Sequence, residues 1–410
     1  MTFGEKLRAL MVERKISQRR LAQLVPCDNG HLSKVANGLK NPSTELAERL
    51  DVVLDAGGRL AALRSRSPAH RAREDRLADD VAPELGGARL LAARGRPADG
   101  AFVDAVRETS QALVRMDMAH GASDILPLAL RIFRAVNHKL GTGAYRPAIE
   151  RDLLAAAGEA GEVAAWIAHD ADEQDVSRRV IHEALMLSRQ AGDRSLELFE
   201  LTHLAMLAIH LRRPAEALRI TGDLLDEDLP PRVRALLDIR RGRAFAQLGH
   251  DGRARDALGR ARSILQDGIT SRDAYWTWWL TDAEVLWHTG MAHAELGEWS
   301  AAVPLMSEAG ELRMGYQRAR FNDQVHLLNA LVHVGDWSEA EPVLAEAADA
   351  VVDVNSVRTT NLLRRVTERI GRAGAPSTVA AQADDLHRFI ADASPHASVV
   401  GMGSIERGDG

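Results

Sequence analysis

Cysteine is almost absent from this sequence: one residue, Cys27, in 410. A lone cysteine excludes an internal disulfide framework and a cysteine-cluster zinc site, and it fits a reducing compartment, so a cytoplasmic location is expected. Aromatic residues make up only 4% of the chain. Long apolar runs are missing too. No stretch approaches the ~18 residues of a membrane span, and the opening MTFGEKLRALMVERK carries charge where a signal peptide needs apolar residues, so neither export nor a membrane partner is expected. Catalytic signatures are lacking as well: no P-loop, no strand followed by GxGxxG, no HExxH and no GxSxG. The histidines are scattered, and His288 and His293 do not have the i, i+4 spacing that sets two metal ligands on one helical face. The expectation is a protein with no enzymatic activity, no cofactor and no metal.

What is present begins with length, since 410 residues suffice for two or three domains and a core that needs no covalent staple. Arginine far outnumbers lysine and alanine is abundant, the bias of a GC-rich bacterial genome. Charge is unevenly placed. Residues 1–42 hold Lys6, Arg8, Arg14, Lys15, Arg19, Arg20, Lys34 and Lys40 against Glu5, Glu13 and Asp28, about +5, and with a total of −6 the remainder carries about −11. A basic head on an acidic body fits a phosphate-binding module joined to a domain with no reason to touch nucleic acid.

From Phe3 to Leu63 the spacing predicts five short helices. Phe3, Leu7, Leu10 and Met11 form the first buried stripe. Ser17 is placed to N-cap a second helix whose Leu21, Leu24 and Val25 face the core, and Pro26 ends it. A third helix, GHLSKVANG, buries Leu32 and Val35 and stops at Gly38. The fourth carries Leu46, Leu50 and Leu54, and GGRLAALR closes the unit.

The segment SQRRLAQLVPCDNGHLSKVANGLKNPS resembles the Xre/Cro/phage-repressor helix-turn-helix class, through Ser17-Gln18, Leu21-Ala22, the Leu32 and Val35 spacing and Asn37-Gly38 followed by Asn41-Pro42. The resemblance implies double-stranded DNA as partner, with the second helix across the backbone and the third in the major groove. It puts Asn29, Gly30 and Lys34 where bases are read and Gln18 and Asn37 where phosphates are held, with His31 and Ser33 on the same exposed face and Lys40 just beyond. Asn pairs bidentately with adenine and Lys donates to guanine, so the side chains suit the role. Two positions depart from the class. Ala36 stands where an acidic residue is usual, and Arg20 stands where Glu would complete a capping box. A cation there opposes the helix dipole unless a phosphate lies nearby, so Arg19 and Arg20 are read as phosphate contacts.

Residues 67–100 are rich in charge, Pro and Gly with broken apolar periodicity, and are expected to be a linker after a 1–66 head. The 101–393 body is expected to be helical throughout. It repeats a turn between two helices, seen in LRRPAEALRITGDLL, LGHDGRARDALGRARSIL, LGEWSAAVPLMSEAGEL and VGDWSEAEPVLAEAADAV. Aligning the small residue that opens each second helix matches Ala217, Ala254, Ala302 and Ala340, with Ser177 in a weaker fifth copy. The pattern resembles tetratricopeptide repeats, and the whole arrangement resembles actinobacterial Xre-type regulators with such C-terminal domains. The expected fold is therefore all-α, a lambda-repressor-like head followed by an α-solenoid, with 394–410 a disordered tail.

Stacked helix pairs make a concave face suited to a peptide, a protein or a small ligand. In repeat-bearing relatives a signalling peptide occupies that groove; the resemblance implies the architecture and not that ligand, and the effector expected here is a peptide, a protein or a small molecule. Candidate effector contacts are His203, His210, Arg240, Arg241, Trp276 and Trp279. The last two belong to an aromatic concentration with Tyr275, Trp278 and Trp287 that reads either as a pocket lining or as core at a repeat junction. The reading is a DNA-binding regulator, expected to be a homodimer because one short head reads a half-site. The alternative is an interaction scaffold that uses the head for docking.

Overall fold

The computed structural model describes residues 3–56, apart from 15, 26, 28, 37–41, 43 and 55, and residues 96–393, apart from 314–316. The chain divides into two compact units, one holding the head and one the helical body. The expected linker before residue 96, the fifth head helix and the 394–410 tail lie outside the described residues.

The head has helices α1 (Phe3–Glu13), α2 (Gln18–Leu24), α3 (Asn29–Ala36) and α4 (Thr44–Val53). Leu7, Leu10, Leu21, Leu32, Val35, Leu50 and Leu54 make its core, each no more than 1% exposed. Leu24 corrects the expectation: it is 43% exposed. The buried arc of α2 centres on Leu21, Ala22 and Val25, and a residue three places after Leu21 falls at its edge. Backbones come close where α1 meets α3. A Cβ on Gly4 would sit 2.6 Å from the Ala36 carbonyl oxygen, which accepts a 2.6 Å hydrogen bond from Arg8 Nη1. Gly4→Val is expected to destabilise the head by about 1–3 kcal/mol, seen as earlier loss of head amide protection in hydrogen exchange while the body is unchanged.

The described body is helical apart from its turns and one isolated bridge, Ala98 to Tyr145. Helices α5 (Gly100–His120) and α6 (Leu126–Gly141) precede α7 (Glu150–Asp170) and α8 (Gln174–Ala191). The pairs α9 (Arg194–His210) and α10 (Pro214–Gly222), α11 (Pro231–Gln247) and α12 (Asp251–Gln266), and α13 (Asp282–Glu295) and α14 (Trp299–Leu312) follow. Then come α15 (Gln317–Val334), α16 (Trp337–Asp353), α17 (Val357–Arg372) and α18 (Ser377–Ala393). Each first helix from α7 to α15 packs on its own second helix, α17 and α18 share one apolar cluster, and first helices pack on one another along α7, α9, α11 and α13 and again at α15 and α17.

One turn recurs six times. A left-handed residue follows each first helix, at Asp172, Arg212, Gly249, Gly297, Gly335 and Gly374, by subtraction 40, 37, 48, 38 and 39 residues apart. At five of the six, all but Gly374, the next residue's N–H bonds back to the end of that helix in a Schellman motif, as in Arg213 N to Ala208 O at 2.8 Å and His250 N to Phe245 O at 2.9 Å. Five residues after the left-handed position sits the slot read from the sequence: Ser177, Ala217, Ala254, Ala302 and Ala340, all within 1% of fully buried. The register adds a sixth repeat, α17–α18, whose slot holds Val379, so the small-residue rule is not universal. First helices contribute their own small residues. A Cβ on Gly242 would lie 2.6 Å from Leu258 Cγ, and one on Gly290 2.8 Å from Met306 Cγ.

Glycine adopts the left-handed conformation freely, whereas Arg212 holds it at φ 56° against its Cβ. Arg212→Gly is expected to stabilise the body by about 0.5–1 kcal/mol, read as a higher denaturation midpoint with unchanged slope.

The row of pairs bends until its ends meet: α5 packs on α15, and α7 on α17. The seam is polar and well bonded. Asn355 N donates to His120 O at 2.7 Å, Ser123 Oγ to Asn355 O at 3.0 Å, Ser356 Oγ to Asp170 Oδ1 at 2.9 Å and Asn361 Nδ2 to Asp172 Oδ2 at 2.7 Å. Gly121, at φ 82°, lies so close that a Cβ would sit 2.7 Å from the Asn355 carbonyl carbon. The body is thus a closed ring of helices with the first helices facing inward.

Candidate functional site

The head presents one candidate surface. Ser17 Oγ accepts from Arg20 N at 3.3 Å and caps α2 as its sequence position predicts. Cys27 N reaches back to Ala22 O at 3.2 Å, so the chain leaves α2 tightly and re-enters α3 at Asn29. The inward face of α3 is fixed by Leu32 and Val35, both buried. Asn29, Gly30, His31, Ser33 and Lys34 all belong to that short helix, with Asn29 and Gly30 in its first turn. Arg20 is exposed on α2, and Gln18 and Ser33 are partly buried. Arg19 stands beside Arg20 on α2. Asn37 and Lys40 lie outside the described residues.

The ring interior presents a second. Counting back nine residues from the left-handed turn residue gives Val163, His203, Arg240, His288, His326 and Arg365, one per first helix. Side chains from several helices converge there. His326 on α15 lies within electrostatic reach of Arg358 and Arg365 on α17, Arg243 on α11 and His210 on α9. His203 Nδ1 meets Glu162 Oε1 at 3.0 Å, and its ring lies 5.7 Å from that of Trp166. The His169 and His210 rings meet edge to face at 4.8 Å. Trp287 contacts His326 at 5.5 Å and lies under the Arg243 guanidinium at 5.9 Å.

Burial followed by the Arg358 charge lowers the His210 pKa to about 4 and that of His326 to about 3. The same causes hold His169 well below the usual histidine range. His210 is nonetheless open to solvent. These imidazoles are neutral at physiological pH and sit in a field set by guanidinium groups.

The sequence candidates divide. His203, His210 and Arg240 line the interior. Arg241 instead lies over the Phe245 ring at 5.3 Å. Trp276 is 4% exposed, stacks on Phe199 at 4.5 Å and donates through Nε1 to Ser195 O at 3.2 Å. Trp279 packs on the same core cluster, while Tyr275 and Trp278 are exposed. The aromatic concentration is thus mainly a core filler at the longest repeat interval, with Trp287 alone in the interior. His169, Arg243, His288, His326 and Arg365 escape a search by residue type, although the register of the repeated turn places three of them.

A family model described as a helix-turn-helix domain matches residues 2–67. The head is accordingly a helix-turn-helix domain on an all-α chain. The chain matches no curated protein. Among the described residues no helix is long and apolar enough to cross a membrane.

Proposed function

We propose that the protein is a sequence-specific DNA-binding transcription regulator of the Xre type, acting in the cytoplasm by binding rather than catalysis. The observation that carries this reading is the helix-turn-helix match over residues 2–67, on a head whose residues 1–42 carry about +5 of charge. In this reading α3 enters the major groove, Asn29 and Lys34 meet base edges, and Gln18, Arg19, Arg20, Asn37 and Lys40 face phosphates. His31 and Ser33 lie beside them, and Gly30 lets the backbone approach. The tetratricopeptide-like body, supported by the six-fold turn register, holds an effector in its interior and supplies the contact of a homodimer.

Lys34→Ala and Asn29→Ala are each expected to reduce discrimination between specific and random DNA by about 1–3 kcal/mol, with little change in the salt dependence. Competition binding on duplexes checks this. Unchanged discrimination in both variants would remove α3 from the groove. A scaffold that uses the head only for docking predicts an interaction that salt hardly weakens, whereas phosphate contacts lose affinity steeply as salt rises.

A further inference from the structure

The outer side of the ring carries a cavity of about 320 Å³ between the second helices α12 and α14, with the first helix α13 as its floor. It lies where the turn interval is longest, 48 residues by subtraction of Gly249 from Gly297. On α12 its lining runs from Ala254 to Gln266, which at 1.5 Å per residue is about 18 Å of helix. A volume of that size drawn out over three turns is a trough for one row of side chains. Leu258 of α12, Val285 and Leu286 of α13, and Leu305 and Leu312 of α14 give it an apolar lining. Leu312 is 54% exposed.

Gly259 keeps the trough open. It is exposed in the interior of α12, where glycine weakens a helix, and a Cβ there would meet nothing within 4 Å. Gly242 and Gly290 make room for the second helix of their own repeat. Gly259 makes room for nothing among the described residues.

Charges of opposite sign flank the apolar lining. Arg255 is already paired with Asp251 and with Glu298. Two turns further along α12 comes Arg262, and the other helices bring Asp282 from α13 and Glu308 from α14. These three are exposed, and none makes an ion pair among the described residues. The α12 lip is thus basic there and the opposite lip acidic. An extended peptide draws its affinity from a free strand edge, and every wall here is a helix whose backbone groups bond within it. An acyl chain has one polar end and leaves one sign of charge unmatched. A helix answers all three features: its ridge of side chains enters the groove between helices, and its two flanks can carry opposite charges.

We propose that the trough between α12 and α14 docks an amphipathic helix of a partner protein, apolar along one row, acidic on the flank beside Arg262 and basic on the flank beside Asp282 and Glu308. The site is separate from the ring interior and stands whether or not the head reads DNA.

The test uses the full-length chain and three labelled, alanine-based helical peptides of about 15 residues, each with a row of leucines at three- and four-residue spacing. The first has glutamate on one flank of the row and lysine on the other, the second glutamate on both, the third lysine on both. Fluorescence anisotropy is read at about 0.15 M salt, where general attraction between the acidic body and a basic peptide is screened. The mixed peptide is expected to bind about tenfold tighter than either uniform one, and not at all once serine replaces its leucines. Gly259→Gln places a long polar side chain in the trough and is expected to weaken the mixed peptide about tenfold or more, while the melting midpoint of the free chain rises. Arg262→Glu makes both lips acidic and is expected to turn the ranking in favour of the all-lysine peptide. Its side chain is exposed and unpaired among the described residues, so the variant keeps the fold. No binding of the mixed peptide, equal binding by Gly259→Gln, or an unchanged ranking in Arg262→Glu overturns the proposal. A dimer that Gly259→Gln converts to a monomer also overturns it, because the trough then holds a second copy. So does laurate that binds the chain but not Gly259→Gln and displaces the peptide, which would make this an acyl-chain site.

Discussion

Replacing Asp170 with alanine is expected to destabilise the body by about 3–5 kcal/mol, the range for stripping one partner from a buried ion pair. Asp170 is fully buried at the seam of the ring. It accepts from Ser356 Oγ at 2.9 Å and Arg358 Nη2 at 3.0 Å, with Arg318 Nη1 at 3.8 Å. Its removal leaves two largely buried guanidinium groups short of a counter-charge, although Asp117 still holds Arg318 at 3.0 Å. The seam between α7 and α17 should open before the rest of the body melts. Thermal melting and small-angle scattering together test this, since an opened ring has a larger radius of gyration. Asp170→Asn keeps an acceptor and is expected to cost less. A midpoint for Asp170→Ala equal to that of the wild type would mean that the closure does not depend on this seam.

The second large effect is a stabilisation. Glu200 is fully buried, accepts from Ser188 Oγ at 2.7 Å and leaves Oε2 without a partner. Burial raises its pKa from 4.5 to about 9, against which the Ser188 hydrogen bond works only partly. A carboxyl group whose folded pKa is raised stabilises the fold most below its unfolded pKa. That contribution is lost as pH climbs from 4.5 towards 9. The slope is about 1.4 kcal/mol per pH unit in the middle of that window. Glu200→Gln has the shape of the protonated acid and never ionises, so its stability should not follow this slope. At pH 8 the variant is expected to be more stable by several kcal/mol, and at pH 4 the two should be close. Denaturation midpoints across pH check both ends. A difference that does not grow with pH would mean that Glu200 is ionised in the folded protein.

Much of this architecture is legible in the sequence, for identifiable reasons. The head's core follows from three- and four-residue spacing because a short helix has one buried stripe. Leu24 fails because spacing alone does not fix where that stripe is centred. In the body, Ala217, Ala254, Ala302 and Ala340 betray the close approach of paired helices, where volume is what the site constrains. Val379 hides the sixth repeat because its larger side chain breaks the residue-type match while the turn at Gly374 keeps the geometry. Closure of the ring is not readable. It depends on hydrogen bonds such as Ser356 to Asp170, 186 residues apart, between side chains that look like ordinary surface polar groups. The interior tier is half readable: its positions follow from the turn register, but the contacts of Arg240 and Arg243 with His288 appear only once the helices have fixed positions.

The central claim is that the head reads DNA sequence. Its most direct test is selection of bound duplexes from a random library by the full-length chain, alongside its mass in solution. The account predicts an enriched inverted repeat, a dimer mass and loss of enrichment in Lys34→Ala. A folded protein that enriches no sequence would contradict it.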